Sequence, residues 1–285
     1  MKTEKGFTLI ELLVVIAIIG LLLSIILPSL KIAKERAMEI LCENNIRQFG
    51  IGMNLHCNDH DGAFADCEDW LYMDFVPGTK FPRNTSSPMN FECVWHNQTI
   101  IPDGIIVDYL SNNAVELCPA FKRIAITRSS CAKGISHNPN IPIEPVFSYS
   151  QNVFLGPMGT MPTVPYIKKI TQIRSPSTIF AYGEENPYAL PVNTRPLWGT
   201  FTISVSSNTG LNDCLTYVLN PAQAQSRIQG SGGKYKVQPD FVDCFGSFHR
   251  AKDADGYLGY SKAVFVDGHI QNVMPEETLI YAWPF

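Results

Sequence analysis

The pattern of apolar and polar positions divides the chain into two unlike parts. Residues 12–27 are all apolar or small, and the apolar stretch counted from Phe7 is 21 residues long. As a helix it would span about 31 Å at ~1.5 Å per residue, which matches a bilayer core of roughly 30 Å. The pattern therefore predicts a transmembrane helix over 7–27. This helix contains a carboxylate, Glu11, whose placement in lipid costs on the order of 2.5–3.5 kcal/mol.

Beyond Pro28 the sequence continues to favour helix. Apolar residues recur at roughly helical spacing as far as Leu55, and the cluster 58–62 consists of turn residues ending in glycine. We therefore predict one helix over 7–58, embedded in the membrane first and amphipathic afterwards. At Pro28 we expect a bend or local melting, because the proline ring removes a hydrogen bond and clashes with the preceding turn.

The remainder, 59–285, carries 19 of the 20 prolines and predicts a globular head of short strands and long loops. The strand-like segments are 179–182, 200–205, 263–266 and 269–273. Asp267-Gly268 between the last two is a strong hairpin signal, because both positions of the favoured two-residue turn need positive φ. We predict an α+β fold: a long N-terminal helix packed on an antiparallel sheet, with a loop-rich insertion at about 77–145.

Composition limits the function without identifying it. The chain has 285 residues, a net charge of −4 and no long basic run, so nucleic-acid binding is not expected. Its length is sufficient for a membrane segment plus one sizeable core.

The cysteines predict no local metal or redox motif. None of the eight are spaced as Cys-x-x-Cys, which argues against a zinc ribbon or a thioredoxin-type site. An even count in an exported chain fits disulfides, whereas buried free thiols are the alternative. Seven cysteines are the candidates for disulfides, with pairing left open: Cys57, Cys67, Cys93, Cys118, Cys131, Cys214 and Cys244.

Three interpretations of the N-terminus compete. A secretory signal peptide has a shorter apolar run and a small-residue cleavage site, and a plain signal anchor does not explain Glu11. The third starts from Gly6-Phe7-Thr8-Leu9-Ile10-Glu11, which strongly resembles the type IV prepilin family, including the pseudopilins of type II secretion. The resemblance implies a leader at 1–6 cleaved after Gly6, N-methylation of Phe7 and a family-typical proline at Pro28.

In that family the carboxylate at the position of Glu11 neutralises the N-terminal amine of a neighbouring subunit during assembly. The alternative is a carboxylate that reaches back to the cytoplasmic face of the membrane. The resemblance implies a structural subunit rather than an enzyme. Some major pseudopilins bind calcium in the head, but no matching loop is present here, so no cofactor is expected and calcium is the weak alternative. Its partners would be a prepilin peptidase and methylase, copies of itself and other pilin-like subunits, an inner-membrane assembly platform and the lipid bilayer. It would be a single-pass inner-membrane protein with a periplasmic head, later extracted into a filament.

The head also resembles large-headed pseudopilins. The motifs are Cys42-Glu43-Asn44-Asn45-Ile46-Arg47-Gln48, Asp59-His60-Asp61-Gly62, Cys118-Pro119, Ser148-Tyr149-Ser150-Gln151-Asn152, Pro176-Ser177-Thr178-Ile179-Phe180, and a histidine before Asp267-Gly268-His269. In many members nine residues separate that histidine from Asp-Gly, but here seventeen lie between His249 and Asp267. This difference weakens any transfer of function to His249.

Other chemistries are less favoured. Asp59 and Asp61 are weak calcium candidates, because the first position of an EF-hand frame falls on Cys57. His56 and His60 have ligand spacing without further metal context. Adjacent Glu184 and Glu185 are expected in a solvated loop, and no hydrolase nucleophile motif is present. The alternative function is a head that binds a glycan or an exported substrate. The candidate aromatic residues for a glycan surface are Trp70, Tyr72, Trp95, Tyr188, Trp198 and Trp283. A membrane-anchored hydrolase is less favoured than either role.

Overall fold

The first element of the fold is one long helix. The computed structural model describes residues 8–67, 69–71, 104–111, 115–126, 147–157, 166–184, 214–215, 245–246, 248–250, 259–274, 277 and 281–282. Helix α1 runs over Leu9–Asp59, 51 residues, where the sequence predicted 7–58. At its end the N–H of Gly62 donates to the carbonyl of Cys57 at 2.7 Å, and Gly62 has a φ of +80°. Glycine adopts this left-handed conformation without steric cost, so the chain can turn back here.

Pro28 does not interrupt α1. The residue lies inside continuous helix, and on either side of it Ser24 Oγ and Ser29 Oγ donate to the carbonyls of Leu21 and Ile25 at 2.7 and 3.1 Å. Of the two expected alternatives, the continuous helix rules out local melting, and the bend stays a prediction. Prolines are tolerated in apolar helices because serine hydroxyls and small backbone adjustments satisfy the groups that the ring leaves unpaired.

The two halves of α1 have different surroundings. Every residue from 8 to 34 is exposed, whereas burial begins at Glu39 and recurs with helical spacing at Cys42, Ile46 and Phe49. Among the described residues α1 is the helix that is long and apolar enough to cross a membrane. Because so much exposed apolar surface is unfavourable in water, the first half of α1 acts as a membrane anchor.

The head is built on a sheet whose described strands lie in the order β3-β1-β2-β4-β5. The strands are β1 (Tyr149–Asn152), β2 (Phe180–Glu184), β3 (Cys214–Leu215), β4 (Ser261–Phe265) and β5 (Ile270–Val273). Neighbours among β1, β2, β4 and β5 pair antiparallel, which confirms the predicted α+β class with an antiparallel sheet. The two-residue strand β3 pairs parallel with β1, a feature that the sequence pattern did not predict.

The hairpin between β4 and β5 forms, but its turn differs from the predicted one. Gly268 has a φ of +89°, whereas Asp267 has no positive φ. Gly268 N–H donates to Phe265 O at 2.8 Å, and Phe265 N–H donates to His269 O at 2.9 Å. These bonds define a three-residue loop with glycine in the left-handed position, in which Asp267 Oδ1 accepts the N–H of His269 at 3.1 Å.

The second half of α1 packs directly on the sheet. The Phe49 ring lies 5.3, 5.5 and 5.6 Å from the rings of Trp70, Tyr149 and Tyr182. At Gly50 the helix backbone comes so close to β4 that an added Cβ would lie 2.6 Å from a methyl group of Val264. The aromatic centre and this close approach together fix the helix on the sheet.

Part of the predicted insertion at 77–145 belongs to the core. Helix α2 (Pro119–Ala125) begins with a proline at its first turn and buries Phe121 completely. A 3-10 helix (Val107–Tyr109) follows Ile106, which is also buried. The sequence did not predict α2 within this loop-rich region, since a short proline-initiated helix gives little periodic signal. The predicted strand 200–205 and the loop 230–233 lie outside the described residues.

Candidate functional site

The N-terminus of α1 is closed by a reciprocal cap between Thr8 and Glu11. Glu11 Oε2 accepts the backbone N–H of Thr8 at 2.9 Å and its hydroxyl at 2.8 Å, while Thr8 Oγ1 accepts the N–H of Glu11 at 3.3 Å. This is a capping box, in which Ser or Thr at the cap is followed three residues later by Glu or Gln. Sequence reasoning missed it, although the Thr8-x-x-Glu11 spacing was a sufficient signal.

The cap changes how the charge of Glu11 is interpreted. In the single subunit the carboxylate already has hydrogen-bond donors at the start of the helix, where the helix dipole also favours negative charge. These contacts offset part of the penalty for a carboxylate near lipid. Gly6 and Phe7, the predicted cleavage and methylation positions, lie outside the described residues.

An apolar stripe continues from the anchor along the free side of α1. Ile40, Leu41, Ile51 and Leu55 are each between 46 and 58% exposed and lie opposite the side that contacts the sheet. Their spacing follows the helical period. A row of exposed large apolar side chains on one side of a helix indicates a contact surface for another molecule.

Glu39 joins α1 to the head at the point where burial begins. Its carboxylate accepts the hydroxyl of Tyr260 at 2.5 Å, and it lies 3.4 Å from Lys262 Nζ and 3.0 Å from Arg250 Nη2. Burial by itself would raise the pKa of Glu39, but the Tyr260 hydrogen bond and the charge of Lys262 outweigh it, so the pKa lies below its usual value. Glu39 therefore stays ionised and pairs with the head.

A covalent bond ties α1 to the head three residues further on. Cys42 and Cys118 form a disulfide across 76 residues of sequence, and both are fully buried. Cys118 was among the candidate cysteines, whereas Cys42 was not, so the candidate set was wrong in leaving it out. Cys42 lies on the helix and no local spacing connects it to Cys118, so only the tertiary fold reveals the pair.

His249 and Glu184 lie beside this disulfide. His249 Nε2 is 3.0 Å from Glu184 Oε1 and 3.6 Å from Cys118 Sγ. The second carboxylate oxygen of Glu184 accepts the N–H of Lys262 at 3.2 Å. The expected solvated position of Glu184 is wrong, because the residue ends β2 and is fully buried. Glu185 lies outside the described residues.

Several motifs that are distant in the sequence meet around these side chains. Ser148 Oγ accepts the N–H of Cys118 at 2.8 Å, Asn45 Nδ2 donates to Leu117 O at 3.2 Å, and the Tyr149 hydroxyl donates to Cys42 O at 3.4 Å. The hydrogen bonds hold both half-cystines by their backbones. Residues of the Cys-x-x-Asn, Cys-Pro and Ser-Tyr motifs are therefore in contact around the disulfide.

His249 and Asp267 have separate partners. Asp267 Oδ1 lies 2.6 Å from His269 Nδ1 inside the hairpin turn, and the His269 ring stacks on Phe265 at 4.3 Å. His249 instead pairs with Glu184 in the buried cluster. The hairpin contact closes a turn, so no shared chemistry of His249 and Asp267 follows from it.

The other metal candidates are held by different contacts. Asp59 Oδ2 accepts the hydroxyl of Tyr109 at 3.2 Å, and Asp61 takes a turn conformation with a φ of +52°. The His56 and His60 rings stack at 4.1 Å, and His60 Nδ1 lies 2.9 Å from the carbonyl of His56. Burial lowers the pKa of His56. Within the described ranges these four residues do not form a cluster of three or more converging metal ligands.

The remaining candidates add no second site. Cys57 is a buried free thiol whose pKa burial raises to about 11, and Cys67 is buried. Trp70 belongs to the aromatic core, which argues against its use in a glycan surface. Cys214 lies on β3. The positions outside the described residues are Cys93, Cys131, Cys244, Tyr72, Trp95, Tyr188, Trp198 and Trp283.

Glu116 is a buried carboxyl group with an unsatisfied oxygen. Its Oε1 has no hydrogen-bond partner among the described residues, and burial raises its pKa from 4.5 to about 7. Because the folded-state pKa exceeds the unfolded one, the folded protein binds this proton more tightly between those values. The free energy of unfolding therefore falls as the pH rises from 4.5 to about 7.

Replacing Glu116 with glutamine should stabilise the protein at pH 8 and change little at pH 4. The neutral amide avoids the burial of a charge, which is worth about 3 kcal/mol for a shift of this size. Chemical unfolding of the full chain in detergent at both pH values measures the effect. Glu35→Gln, on the outer part of α1, is the control and should stay within about 0.5 kcal/mol. A Glu116→Gln protein that is less stable at pH 8 would contradict the prediction.

Comparison with known proteins identifies the N-terminal segment. Residues 1–27 match the family model described as the prokaryotic N-terminal methylation motif. A stretch of 37 residues is 57% identical to the type IV wide pilus major component PilA4 of Thermus thermophilus. The match covers 13% of this chain and 28% of that protein, so it concerns a short segment of both. No solved structure matches the chain.

The N-terminal segment carries the methylation motif and the chain is similar to a type IV pilus component over a short stretch, which supports the predicted resemblance to type IV prepilins. The methylation motif coincides with the start of α1, including the Thr8 and Glu11 cap. The head beyond α1 lies outside the family-model match.

Proposed function

We propose that this protein is a pilin-like structural subunit, cleaved after Gly6 and assembled through α1 into a type IV pilus-like filament or a type II secretion pseudopilus. The observation that carries the proposal is the methylation motif at the start of a helix that is exposed from residue 8 to residue 34. The stripe of Ile40, Leu41, Ile51 and Leu55 supports it, because it extends the apolar contact surface past the membrane.

The proposed partners follow from this role. A prepilin peptidase removes the leader 1–6 and methylates Phe7, and an inner-membrane platform extracts the subunit from the bilayer. Copies of this chain and other pilin-like subunits cover the apolar stripe in the filament. The N-terminus lies on the cytoplasmic side and the head in the periplasm. The role is structural rather than enzymatic.

Assembly relieves two charges that are unfavourable in lipid. Cleavage creates a positive amine on Phe7, and Glu11 of a neighbouring subunit supplies the opposite charge. At ~4 Å and an effective dielectric near 20, such a pair attracts by about 4 kcal/mol. The contacts with Thr8 hold the Glu11 carboxylate at the start of the helix until the neighbouring amine arrives.

A Gly6→Leu substitution tests the processing step. The leader should stay attached, because a bulky side chain at the last leader position blocks the peptidase. Intact-mass measurement on membrane-extracted protein should give a wild-type chain that begins at methylated Phe7 and a variant that begins at Met1. Gly6→Ala, the smallest change, should retain partial cleavage. A wild-type protein that keeps residues 1–6 in cells containing a prepilin peptidase would refute the proposal.

A further inference from the structure

Four side chains that can bind a metal converge at the joint between α1 and the head. They are Cys42 of α1, Cys118 at the start of α2, Glu184 at the end of β2, and His249. Their ligand atoms all lie within 4.8 Å of one another, and all four residues are buried. Each comes from a different part of the chain, so helical or hairpin spacing does not account for their meeting.

The donor set fits zinc better than other common cations. Two thiolates, an imidazole and a carboxylate suit a borderline-soft ion, whereas calcium and magnesium prefer oxygen ligands alone. Bonds of about 2.0–2.3 Å in a tetrahedron place neighbouring ligand atoms roughly 3.3–3.8 Å apart. His249 Nε2 lies 3.6 Å from Cys118 Sγ, which fits this range, and 3.0 Å from Glu184 Oε1, which is slightly short of it. Side-chain rotations that separate the two sulfurs, move the imidazole and the carboxylate slightly apart and shorten the widest separations of up to 4.8 Å complete the tetrahedron.

The surroundings resemble the outer shell of a metal site. Glu184 Oε2 is held by the N–H of Lys262 at 3.2 Å, which leaves Oε1 directed at the cluster. Phe248, next to His249, packs on Phe121 of α2 with ring centroids 4.8 Å apart and keeps the region apolar. Such contacts orient metal ligands and exclude water.

We propose that Cys42, Cys118, His249 and Glu184 form a Zn²⁺ site when the two cysteines are in the dithiol form. The ion displaces the two thiol protons to solvent, and four protein ligands close the site. The disulfide and the metal site exclude one another, because both use the same sulfur atoms. The disulfide joins α1 to the start of α2 alone, whereas the zinc site also joins β2 and the segment at His249, which forms an isolated antiparallel bridge with Tyr260.

The test uses the full chain in detergent. A phosphine reduces the disulfide, becoming a phosphine oxide with oxygen from water while the sulfurs gain two electrons and two protons. After chelation and buffer exchange, the protein is titrated with Zn²⁺ against a chromogenic chelator and separately with Co²⁺. We expect one equivalent of Zn²⁺ and the intense visible absorption of tetrahedral Co²⁺ with two thiolate ligands. The oxidised protein should bind neither ion at this site.

Variants separate this site from chance binding by thiols. His249→Gln and Glu184→Gln should each weaken Zn²⁺ binding by at least about tenfold. Cys57→Ser, which removes a buried thiol outside the cluster, is the matched control and should retain wild-type affinity. Absence of Zn²⁺ binding by the reduced wild type, or wild-type affinity in both glutamine variants, would overturn the proposal. Near-ultraviolet circular dichroism shows whether each variant is folded. If both variants unfold, the Co²⁺ spectrum of the reduced wild-type protein tests the site instead. A weak spectrum typical of six-coordinate Co²⁺ would refute it.

Discussion

Glu11→Ala should leave the protein membrane-inserted and processed but reduce its incorporation into filaments by more than about tenfold. Loss of only a third of the roughly 4 kcal/mol charge attraction produces a tenfold change. The measurement compares variant with wild-type protein in sheared filament and membrane fractions of cells that contain the assembly system. Intact mass on the same samples shows whether cleavage still occurs.

Two further variants distinguish the charge of Glu11 from its capping role. Glu11→Gln keeps a side chain that can cap the helix but removes the charge, so it should fail like alanine. Thr8→Ala removes the capping partner and keeps the charge, so it should assemble. If Glu11→Gln assembles normally while Thr8→Ala fails, helix capping explains the need for Glu11 and the intersubunit charge pair is wrong.

Phe49→Ala should have the largest effect on the stability of the head. The ring is fully buried and contacts Trp70, Tyr149 and Tyr182, so its removal leaves a cavity where α1 meets the sheet. Such substitutions cost about 3–5 kcal/mol. Chemical unfolding of the full chain in detergent, followed by near-ultraviolet circular dichroism, measures the loss.

Ile51→Ala on the opposite side of α1 is the matched control. Ile51 is 52% exposed, so its truncation should change the stability of the single subunit by less than about 0.5 kcal/mol. If Ile51 contacts a neighbouring subunit, the same substitution should instead weaken filaments. Equal destabilisation of the isolated chain by both variants would contradict the assignment of the buried and exposed sides.

Helix α1 could be predicted from the sequence because its signals are local. The length of the apolar run, the leader motif and the turn residues at 58–62 can each be recognised within one continuous stretch of the chain. The capping role of Glu11 has an equally local signal, the Thr8-x-x-Glu11 spacing. An interpretation of the carboxylate as only a charge in lipid does not use that signal. The hairpin was located correctly, but its turn type depends on the backbone of Asp267.

The head could not be predicted to the same depth because its contacts are nonlocal. Cys42 and Cys118 are 76 residues apart, and His249 meets Glu184 across 65 residues. Glu184 occurs beside another glutamate, a pattern more typical of solvated loops than of a buried strand end. No spacing rule connects such positions, and eight cysteines alone allow 105 pairings.

Along α1, contacts with the head begin at Glu39. The position of this residue sets how far those contacts lie from the membrane. If the bilayer core ends near residue 27, eleven residues of mostly exposed helix separate it from Glu39, a length of about 16 Å at ~1.5 Å per residue. Lys31, Lys34 and Arg36 lie in this interval, between the apolar segment and the first contact with the head. The described contacts of the head therefore begin about 16 Å along α1 from the bilayer core, and the three basic side chains of this interval lie nearer to that core than those contacts do.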